Sequence, residues 1–401
     1  MKLYLNFLAL LFMVAPPNSS ADQTDSSSLA RKLAQDSMIV DTHIDVPIRV
    51  KENWVDVSKE TDGGDFDFER GRRGGLDIPF MSIYTPATAE EEGRSYALAN
   101  QLIDSVEAMV GRAPGKFALV SSTQDAEKAM QRGLMGLAMG MENGSPIDGK
   151  LENLQFFHDR GISYITLAHS LSNHISDSSY DEERQWNGLS PFGKEVVAEM
   201  NRLGIMIDIS HVSDEAFWQV LELSAAPVIA SHSSARHFTP GFERNMSDEM
   251  IVALAKAGGV MQINFGSGFL TKESRDWYDL MKEARKAFLE ENGFDEHGSE
   301  AKDFYKNYLA GHPFPFATLD DLMAHFQRVI ELAGIEHVGI GSDFDGVGDS
   351  LPEGMKDVSF YPQLIERLLR LEYSPQDIKA ILGGNLMRVW REVENHAKKR
   401  A

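Results

Sequence analysis

The chain has 401 residues, 42% of them hydrophobic, enough to bury the core of one α/β barrel with insertions or of two domains. Its 61 acidic and 39 basic residues give a formal net charge of −22. This charge argues against a nucleic acid partner, because binding a polyanion needs a basic surface, and the sequence contains no basic patch. The absence of cysteine excludes disulfide bonds and lipidated cysteines.

The amino-terminal residues have the pattern of a secretory signal peptide. Lys2 precedes an apolar run at residues 5–15, which two prolines and a serine-rich stretch follow. We therefore predict a signal peptide over residues 1–21 and a polar segment over residues 22–36. The protein is expected to be exported, periplasmic or secreted, with no stable membrane anchor after cleavage. The alternative is an uncleaved anchor, but the apolar run is short for a membrane span.

Eight apolar runs bounded by turn residues predict β-strands at residues 38–46, 76–84, 134–142, 162–169, 205–211, 226–232, 258–265 and 337–344. Amphipathic patterns between most of them predict helices, for example at residues 94–111, 190–203, 213–224, 247–257 and 318–334. Strands that alternate with helices form parallel sheets, and eight such strands close a barrel. We therefore predict a single α/β domain, a (β/α)8 TIM-like barrel, over residues 37–401.

One segment breaks this alternation. Residues 270–316, between the last two predicted strands, are highly charged and end in His-Pro-Phe-Pro-Phe. We predict a helical insertion followed by a loop near the rim of the barrel. The sequence leaves open whether this insertion is a lid or a plain solvated excursion.

The first predicted strand ends with His43 and Asp45, two residues apart. Side chains at positions i and i+2 of a strand point to the same face, so this imidazole and carboxylate can bind one divalent metal ion. A lone His-x-Asp pattern is weak support for a metal site. It gains weight here because later predicted strands also end in histidine or acidic residues.

Four of these later strand ends carry metal-ligand residue types: Glu142, His169, His211 and His232. In a parallel barrel all strand carboxyl ends meet at one rim, and neighbouring strands lie about 4.8 Å apart. Taken singly, each side chain is better explained as solvated or hydrogen-bonded in the core. Together they predict a metal site at the carboxyl-terminal rim, where His211 and His232 can converge on one ion.

Three further residues are candidates for substrate chemistry. Asp343, at the end of the eighth strand, can carry a proton from a metal-bound water to a leaving amine. Asp345 lies next to Gly346 and is better explained as a turn cap. Arg244 follows the sixth strand and can form a bidentate grip on a carboxylate, although a surface ion pair is an equal alternative.

Seven short motifs, which contain all of these candidates except His169 and Arg244, resemble the membrane (renal) dipeptidase family throughout the mature chain. The motifs are Asp-Thr-His-Ile-Asp at 41–45, Gly-Met-Glu-Asn-Gly at 140–144, Gly-Leu-Ser-Pro-Phe-Gly at 188–193, Asp-Ile-Ser-His-Val-Ser at 208–213, Ser-His-Ser-Ser-Ala at 231–235, Gly-Ser-Asp-Phe-Asp-Gly-Val at 341–347 and Gly-Gly-Asn at 383–385. The resemblance implies a (β/α)8 barrel of the metal-dependent amidohydrolase type with two zinc ions per chain. Carried over position by position, His43 and Asp45 would bind the first zinc ion, His211 and His232 the second, and Glu142 would bridge them.

The same resemblance implies roles for the remaining candidates. His169 would polarise the scissile carbonyl or stabilise its oxyanion, Arg244 would bind the substrate carboxylate, and Asp343 would transfer the proton. The implied activity is that of a zinc-dependent dipeptidase, in which a hydroxide that bridges the metal ions hydrolyses the peptide bond of small dipeptides. Acceptance of a D-residue at the carboxyl-terminal side and assembly into a homodimer both remain open.

Two other classes of function compete with this prediction. The nearest is another metal-dependent hydrolase on the same barrel, such as a lactonase, a β-lactam hydrolase or a deaminase, because fold and metal ions do not fix the substrate. The second is a non-catalytic exported binding protein. A complete set that includes His169 and Asp343 argues against the second class, because binding alone needs no proton carrier.

Overall fold

The computed structural model of the protein describes residues 20–295 and 298–399. Its parallel strands are β1 Ile39–Ile44, β2 Leu76–Tyr84, β3 Phe117–Leu119, β4 Met135–Glu142, β5 Ile162–Thr166, β6 Met206–Asp208, β7 Ile229–Ser233, β8 Val260–Ile263 and β9 Val338–Ile340. Eight of them close a barrel in the order β1-β2-β4-β5-β6-β7-β8-β9, and β9 pairs with β1. The short strand β3 lies outside this ring and pairs with β4.

Helices surround the barrel. The α-helices are α1 Ser20–Asp36, α2 Val46–Glu52, α3 Phe68–Gly74, α4 Ala87–Glu91, α5 Ser95–Arg112, α6 Thr123–Gln131, α7 Leu151–Asp159, α8 Pro191–Leu203, α9 Asp214–Leu223, α10 Asp248–Lys256, α11 Ser267–Leu270, α12 Lys272–Asn292, α13 Ser299–Gly311, α14 Leu319–Ala333, α15 Tyr361–Arg370, α16 Pro375–Lys379 and α17 Asn385–Lys398. Short 3-10 turns lie at Ser145–Ile147, Arg236–Phe238, Ile335–His337 and Val358–Phe360, and a π-helical turn lies at Ala380–Gly384.

The predicted (β/α)8 barrel is therefore confirmed, and all eight predicted strands are present. Each predicted helix named above also matches a helix of the structure to within one residue at either end. β2 has the predicted bounds, and the other strands are shorter than predicted: β5 ends at Thr166 and β6 at Asp208, so His169 and His211 lie in the loops that follow. The sequence prediction missed β3, because three residues are too few for a periodic pattern.

Buried side chains from every barrel strand except β9, two of them from β2, pack together with residues of α6 and α17. Phe80 on β2 contacts the ring of Tyr164 on β5, with ring centres 5.6 Å apart, and the ring of Trp390 on α17 at 5.3 Å. All three side chains are fully buried. This packing supports the strands from inside and gives the opposite rim a rigid base.

The amino-terminal polar segment forms part of α1, which packs against α15. Ala30, Leu33 and Ala34 of this helix are buried, so it joins the outer helical layer instead of trailing into solvent. The predicted signal peptide, residues 1–21, lies outside the described residues except for its last two. None of the helices in the described part of the chain combines the length and the apolar character that crossing a membrane requires.

The charged insertion between β8 and β9 contains α12 and α13 as a helical pair. Trp277 on α12 holds the pair together: its ring lies 5.4 Å from that of Tyr308 on α13, and its Nε1 donates a hydrogen bond to the carbonyl oxygen of His312 at 2.9 Å. The two ends of the insertion meet, because the backbone N–H of Ala317 donates to Ser267 Oγ at 3.0 Å. The insertion thus leaves the barrel and returns to it at one point.

Candidate metal centre and active site

The structure brings the five predicted metal ligands together at the carboxyl-terminal rim. Glu142, at the end of β4, is at their centre, with its Oε2 3.4 Å from His43 Nε2. Its Oε1 lies 3.1 Å from His211 Nε2 and 3.3 Å from His232 Nε2. On the far side of His43, Asp45 Oδ2 lies 3.4 Å from the same Nε2 atom. One carboxylate therefore faces two sets of ligands.

A metal ion would satisfy the donor atoms of this cluster better than they satisfy one another. His43 Nε2 and Asp45 Oδ2 are buried without a hydrogen-bond partner, an arrangement that is costly unless another group satisfies them. The Nε2 atoms of His211 and His232 lie only 2.9 Å apart. Three groups of donor atoms converge closely enough to hold an ion: His43, Glu142 and His232; Glu142, His169 and His211; His43, Asp45 and Asp343. Imidazole nitrogens and carboxylate oxygens are ligands that zinc accepts.

Hydrogen bonds to the outer nitrogens orient two of the histidines. His43 Nδ1 lies 2.8 Å from the hydroxyl of Tyr164, which donates to the carbonyl oxygen of Thr42 at 2.9 Å. The Tyr164 hydroxyl therefore accepts from Nδ1–H, which leaves Nε2 of His43 free as a ligand. Gly140 leaves room for this tyrosine, since a Cβ atom there would lie 1.9 Å from its Cζ atom.

His232 has an equivalent support. Its Nδ1 lies 2.8 Å from Ser231 Oγ, which donates to Asp208 Oδ2 at 2.6 Å. Asp208 Oδ1 also accepts from the backbone N–H of Ser231 at 2.7 Å and of Ser210 at 3.0 Å. Asp208 therefore ties the end of β6 to β7 and fixes the tautomer that presents Nε2 of His232 to the cluster.

Two site residues have a backbone conformation that is uncommon outside glycine. His211 has a φ angle of 70° and Asp343 one of 64°. Neighbouring loops stabilise both positions: the carbonyl oxygen of His211 accepts from the N–H of Ser179 at 2.8 Å, and the N–H of Asp343 donates to the carbonyl oxygen of His43 at 3.0 Å. Such strained positions concentrate at functional sites.

His169 lies beside the cluster and lines the cavity above it. Its ring centre is 4.2 Å from that of His211, and its Nε2 is 3.5 Å from Glu142 Oε1. Burial lowers the pKa of His169, so the imidazole is neutral near pH 7 and can give or accept a hydrogen bond. Burial alone would raise the pKa of Glu142, yet His43 and the other nearby histidines hold it well below its usual range.

Asp343 lies next to the ligands and also lines the cavity. Asn264, directly after β8, donates a hydrogen bond from Nδ2 to Asp343 Oδ2 at 2.7 Å and so fixes the carboxyl group. Burial raises the pKa of Asp343 to about 7, and the negative charges of Asp45 and Glu142 add to this effect. A carboxyl group with a pKa near neutrality can both take and release a proton.

Arg244 is buried, which rules out the alternative of a surface ion pair. Only 3% of its surface is exposed, its Nη1 donates to Ser233 Oγ at 2.8 Å, and its Nη2 donates to the carbonyl oxygen of His232 at 2.7 Å. Among the described residues, no carboxylate oxygen lies within 4 Å of this guanidinium. A buried cation without a counter-ion is costly, and a carboxylate ligand would satisfy it. The ring of Phe269, whose centre is 5.4 Å from Arg244 Cζ, lines the cavity.

A cavity of about 870 Å³ opens above the cluster. Metal-site residues and Asp343 line its floor, and Arg275, Tyr278 and Lys282 of α12 line one wall. The insertion is therefore part of the site. Arg49 also lines the cavity, but its guanidinium is already bound to Asp345 Oδ2 at 2.9 Å and to two backbone carbonyl oxygens.

Sequence reasoning missed several residues that shape this site. Asp345, interpreted as a turn cap, accepts a hydrogen bond from the N–H of Asp65 at 2.7 Å and pairs with Arg49, so it braces the loop at the cavity mouth. In the sequence, Asn264 and Tyr164 are parts of apolar runs. The one available signal was the polar hydroxyl of Tyr164 within an apolar run, because a buried tyrosine hydroxyl usually has a hydrogen-bond partner.

Comparisons with known proteins agree with this geometry. The family model described as membrane dipeptidase (peptidase family M19) matches residues 28–401. An uncharacterized dipeptidase of Schizosaccharomyces pombe is 30% identical over 89% of this chain and 81% of its own length. Dipeptidase 3 of Mus musculus is 30% identical over 92% of this chain and 67% of its own length.

Solved structures show the same likeness. The probable dipeptidase PvdM of Pseudomonas aeruginosa has a TM-score of 0.79 and 27% identity over 93% of this chain and 100% of that one. A metallopeptidase of Rhodobacter sphaeroides, bound to a phosphinate mimic of the dipeptide L-Ala-D-Ala, has a TM-score of 0.73 and 23% identity over 89% of this chain. The chain is thus a peptide-bond hydrolase with a dipeptidase fold, and it belongs to the M19 family of membrane dipeptidases.

Proposed function

We propose that the protein is a zinc-dependent dipeptidase. Two zinc ions would be held by His43, Asp45, Glu142, His211 and His232, and when bound they would supply the hydroxide for hydrolysis of the peptide bond. The observation that carries this proposal is the position of Glu142. His43 approaches one of its carboxylate oxygens, while His211 and His232 approach the other. A carboxylate shared between two ligand sets is suited to offset the repulsion between two dications.

The remaining residues would handle the substrate. Arg244 binds the terminal carboxylate, which would complete the partners of its buried guanidinium. His169, neutral and next to Glu142, donates a hydrogen bond to the carbonyl oxygen as negative charge develops on it. Asp343, held by Asn264, transfers a proton to the leaving amine. Each of these roles uses a side chain whose partners leave the required atom free.

We further propose that a D-residue is accepted at the carboxyl-terminal side of the substrate. The phosphinate ligand of the Rhodobacter sphaeroides metallopeptidase mimics a dipeptide with D-alanine at that position. A cavity of about 870 Å³ is also much larger than a dipeptide requires, so neither configuration meets an obvious steric limit.

The test is turnover of a stereochemically varied dipeptide library by protein that has been stripped of metal and reloaded with zinc. We expect no activity without metal, full activity with two bound zinc ions per chain by elemental analysis, and hydrolysis of Ala-Ala in at least one configuration. Activity against lactones, β-lactams or aminopurines, with none against dipeptides, would instead support another hydrolase on the same barrel. A zinc-loaded protein without any turnover would support a binding protein.

We also propose that the chain is exported after removal of residues 1–21. The support is the sequence pattern of Lys2, the apolar run and the small residues at 19–21. Cell fractionation and amino-terminal sequencing of the mature protein test this proposal. A mature chain that begins at Asp22 is expected, and an unprocessed cytoplasmic chain would contradict it.

A further inference from the structure

The wall of the cavity that α12 provides carries positive charge towards the site. Arg275, Tyr278 and Lys282 are spaced by three and four residues, so they lie on one face of the helix, and all three line the cavity. The chain as a whole has a net charge of −22, so the positive charge on this wall is opposite in sign to that of the molecule. We propose that Arg275 and Lys282 form a subsite for an acidic side chain on the carboxyl-terminal residue of the substrate.

This inference deepens the proposed dipeptidase function and rests on it. Its first support is the lack of a counter-ion for Lys282, since no carboxylate in the described part of the chain lies within 4 Å of this ammonium. Partial burial, and then the charge of Arg275, lower the pKa of Lys282, while the charge of Asp279 acts in the opposite direction. The Lys282 side chain is exposed and lines the cavity. Two cations held side by side attract an anion.

Arg275 has a partner, but not one that closes the cavity. Its Nη2 donates to Asp279 Oδ1 at 2.6 Å and its Nε to Asp279 Oδ2 at 3.2 Å, and this carboxylate, on the next turn of α12, is 59% exposed. The guanidinium is only 12% exposed and is stacked on two aromatic rings, with its Cζ atom 4.7 Å from the centre of Phe242 and 5.4 Å from that of Tyr278. The aromatic rings fix the position of the cation while leaving its remaining N–H groups available.

The position of this pair selects the carboxyl-terminal residue of the substrate. Tyr180 lies between the metal ligands and α12: its ring centre is 5.9 Å from that of His211 and 6.0 Å from the Lys282 ammonium. Two aromatic rings connect the cations: Arg244 lies 5.4 Å from the ring centre of Phe269, which is 5.8 Å from that of Phe242, the ring on which Arg275 stacks. Arg244, the proposed clamp for the terminal carboxylate, is therefore on the same side of the site as the cationic wall.

The opposite side of the cavity has a different character. Glu52 and Tyr84 line it, and Tyr84 contacts His169 with ring centres 4.8 Å apart. Among the described residues that line this side, an acidic side chain would face Glu52 and one cation, Arg49, that Asp345 already neutralises. The charge distribution thus favours aspartate or glutamate at the carboxyl-terminal position and not at the amino-terminal one.

The experiment compares zinc-loaded enzyme on Ala-Glu, Ala-Gln and Ala-Lys, with both configurations of the second residue. Glutamine matches glutamate in size but lacks its charge. We expect kcat/KM to be about tenfold higher for Ala-Glu than for Ala-Gln, as one new charge-assisted contact would give, and the ratio to shrink as salt is raised. Glu-Ala and Gln-Ala are expected to differ much less.

Substitutions on α12 test whether the cavity wall causes the preference for Ala-Glu. Lys282→Gln is expected to reduce the ratio of kcat/KM for Ala-Glu to kcat/KM for Ala-Gln severalfold, and Arg275→Gln is expected to reduce this ratio further. Lys282→Glu is expected to reverse the charge preference, so that Ala-Lys is preferred to Ala-Glu. Lys286→Gln is the matched control, because Lys286 is one turn further along the same helix, is 77% exposed and pairs with Glu290. Its ratio is expected to equal that of the parent. Circular dichroism checks folding, and Lys282→Gln alone suffices if the Arg275 variant does not fold.

The possible outcomes distinguish failure of the acidic subsite from failure of the proposed dipeptidase function. Equal use of Ala-Glu and Ala-Gln by an active enzyme overturns the acidic subsite but leaves the dipeptidase intact. An Ala-Glu to Ala-Gln ratio that neither Lys282→Gln nor Arg275→Gln changes also overturns the acidic subsite. Loss of discrimination between free and amidated dipeptides in Lys282→Gln would make this residue the terminal clamp, which also contradicts the inference. No turnover of any dipeptide overturns the proposed function and the inference together.

Discussion

The metal rim and the helical wall of the cavity are built in different ways. At the rim, the side chains are on barrel strands or directly after them, in a ring whose register is fixed by hydrogen bonds from each strand to the next. On the wall, Arg275 and Lys282 are on α12, in a segment that lies outside the strand and helix alternation. In the proposed function the rim carries the chemistry, and the wall borders the substrate. The comparison predicts that rim variants change turnover and metal content, whereas wall variants change selectivity.

The largest effect is expected at the rim, from Asp343→Asn. This variant keeps the contact with Asn264 but cannot carry a proton, so kcat is expected to fall by about 10²–10⁴-fold while bound zinc and KM are maintained. Steady-state kinetics and elemental analysis measure these quantities. Asp345→Asn is the control, because Asp345 lies two residues later and has a similar φ angle of 65°. Its kcat is expected to fall far less. A loss below tenfold in Asp343→Asn would contradict the proton-transfer role.

The next effect tests which cation reads the terminal carboxylate. Arg244→Met is expected to lower kcat/KM for free dipeptides by roughly 2–4 kcal/mol in transition-state free energy, and for amidated dipeptides much less. The amidated substrate serves as the internal control for damage to the site. If the variant still prefers the free acid as strongly as the parent does, a wall cation reads the carboxylate, because Arg49 is already occupied by Asp345 and two carbonyl oxygens.

A third prediction concerns His325, which links the two regions. Its Nδ1 accepts from the N–H of Ala235, just after β7, at 3.0 Å, and its Nε2 donates to the carbonyl oxygen of Leu270, just before α12, at 2.9 Å. This arrangement requires a neutral ring, and burial lowers the pKa of His325 to about 4. The unfolded chain takes up this proton near pH 6.5.

The stabilisation from His325 is therefore complete above pH 6.5 and is lost as the pH falls from 6.5 to 4. It amounts to roughly 3 kcal/mol in the free energy of unfolding. Urea unfolding at pH 7 and pH 5 measures the change, and His325→Gln is expected to show a smaller difference between the two pH values than the parent does. Equal differences in both proteins would show that His325 does not titrate in this way.

The smallest of these effects is expected from Tyr164→Phe, which removes the hydroxyl that orients His43. Removal of such an outer contact typically lowers metal affinity by about 10–100-fold. Competition with a chromophoric chelator measures this affinity. Tyr305→Phe, which is 42% exposed on α13, is the matched control and is expected to bind zinc as the parent does. Unchanged affinity in Tyr164→Phe would mean that the packing around His43 is sufficient to hold it.

The contrast between the regions also explains how much the sequence could predict. His43, Glu142 and His232 end apolar runs of strand type, and the parallel barrel then brings them together by topology alone. The left-handed backbone at His211 and Asp343 has no comparable signal, because it depends on contacts with distant loops. Asn264 was missed for the same reason: nothing in a single asparagine after a strand says that it faces Asp343.

The wall could not be predicted at the level of residues. The charged pattern of residues 270–316 predicts helices, but it does not say which helical face lies against the cavity. That choice depends on the packing of Trp277 against α13 and on the stacking of Arg275 on Phe242, both of which join residues that are far apart in the sequence. Arg244 presents the same difficulty, since burial alone separates a carboxylate clamp from a surface ion pair.

The insertion that carries α12 begins and ends at one place, where Ala317 hydrogen-bonds to Ser267. Because its two ends are joined at the rim, it can change in length or composition without altering the strand order that holds the catalytic groups. Selection can therefore act on substrate preference and on catalytic power in separate stretches of the gene. Grafting the segment between these two residues from one homologue to another offers a direct way to exchange specificities on a constant catalytic scaffold.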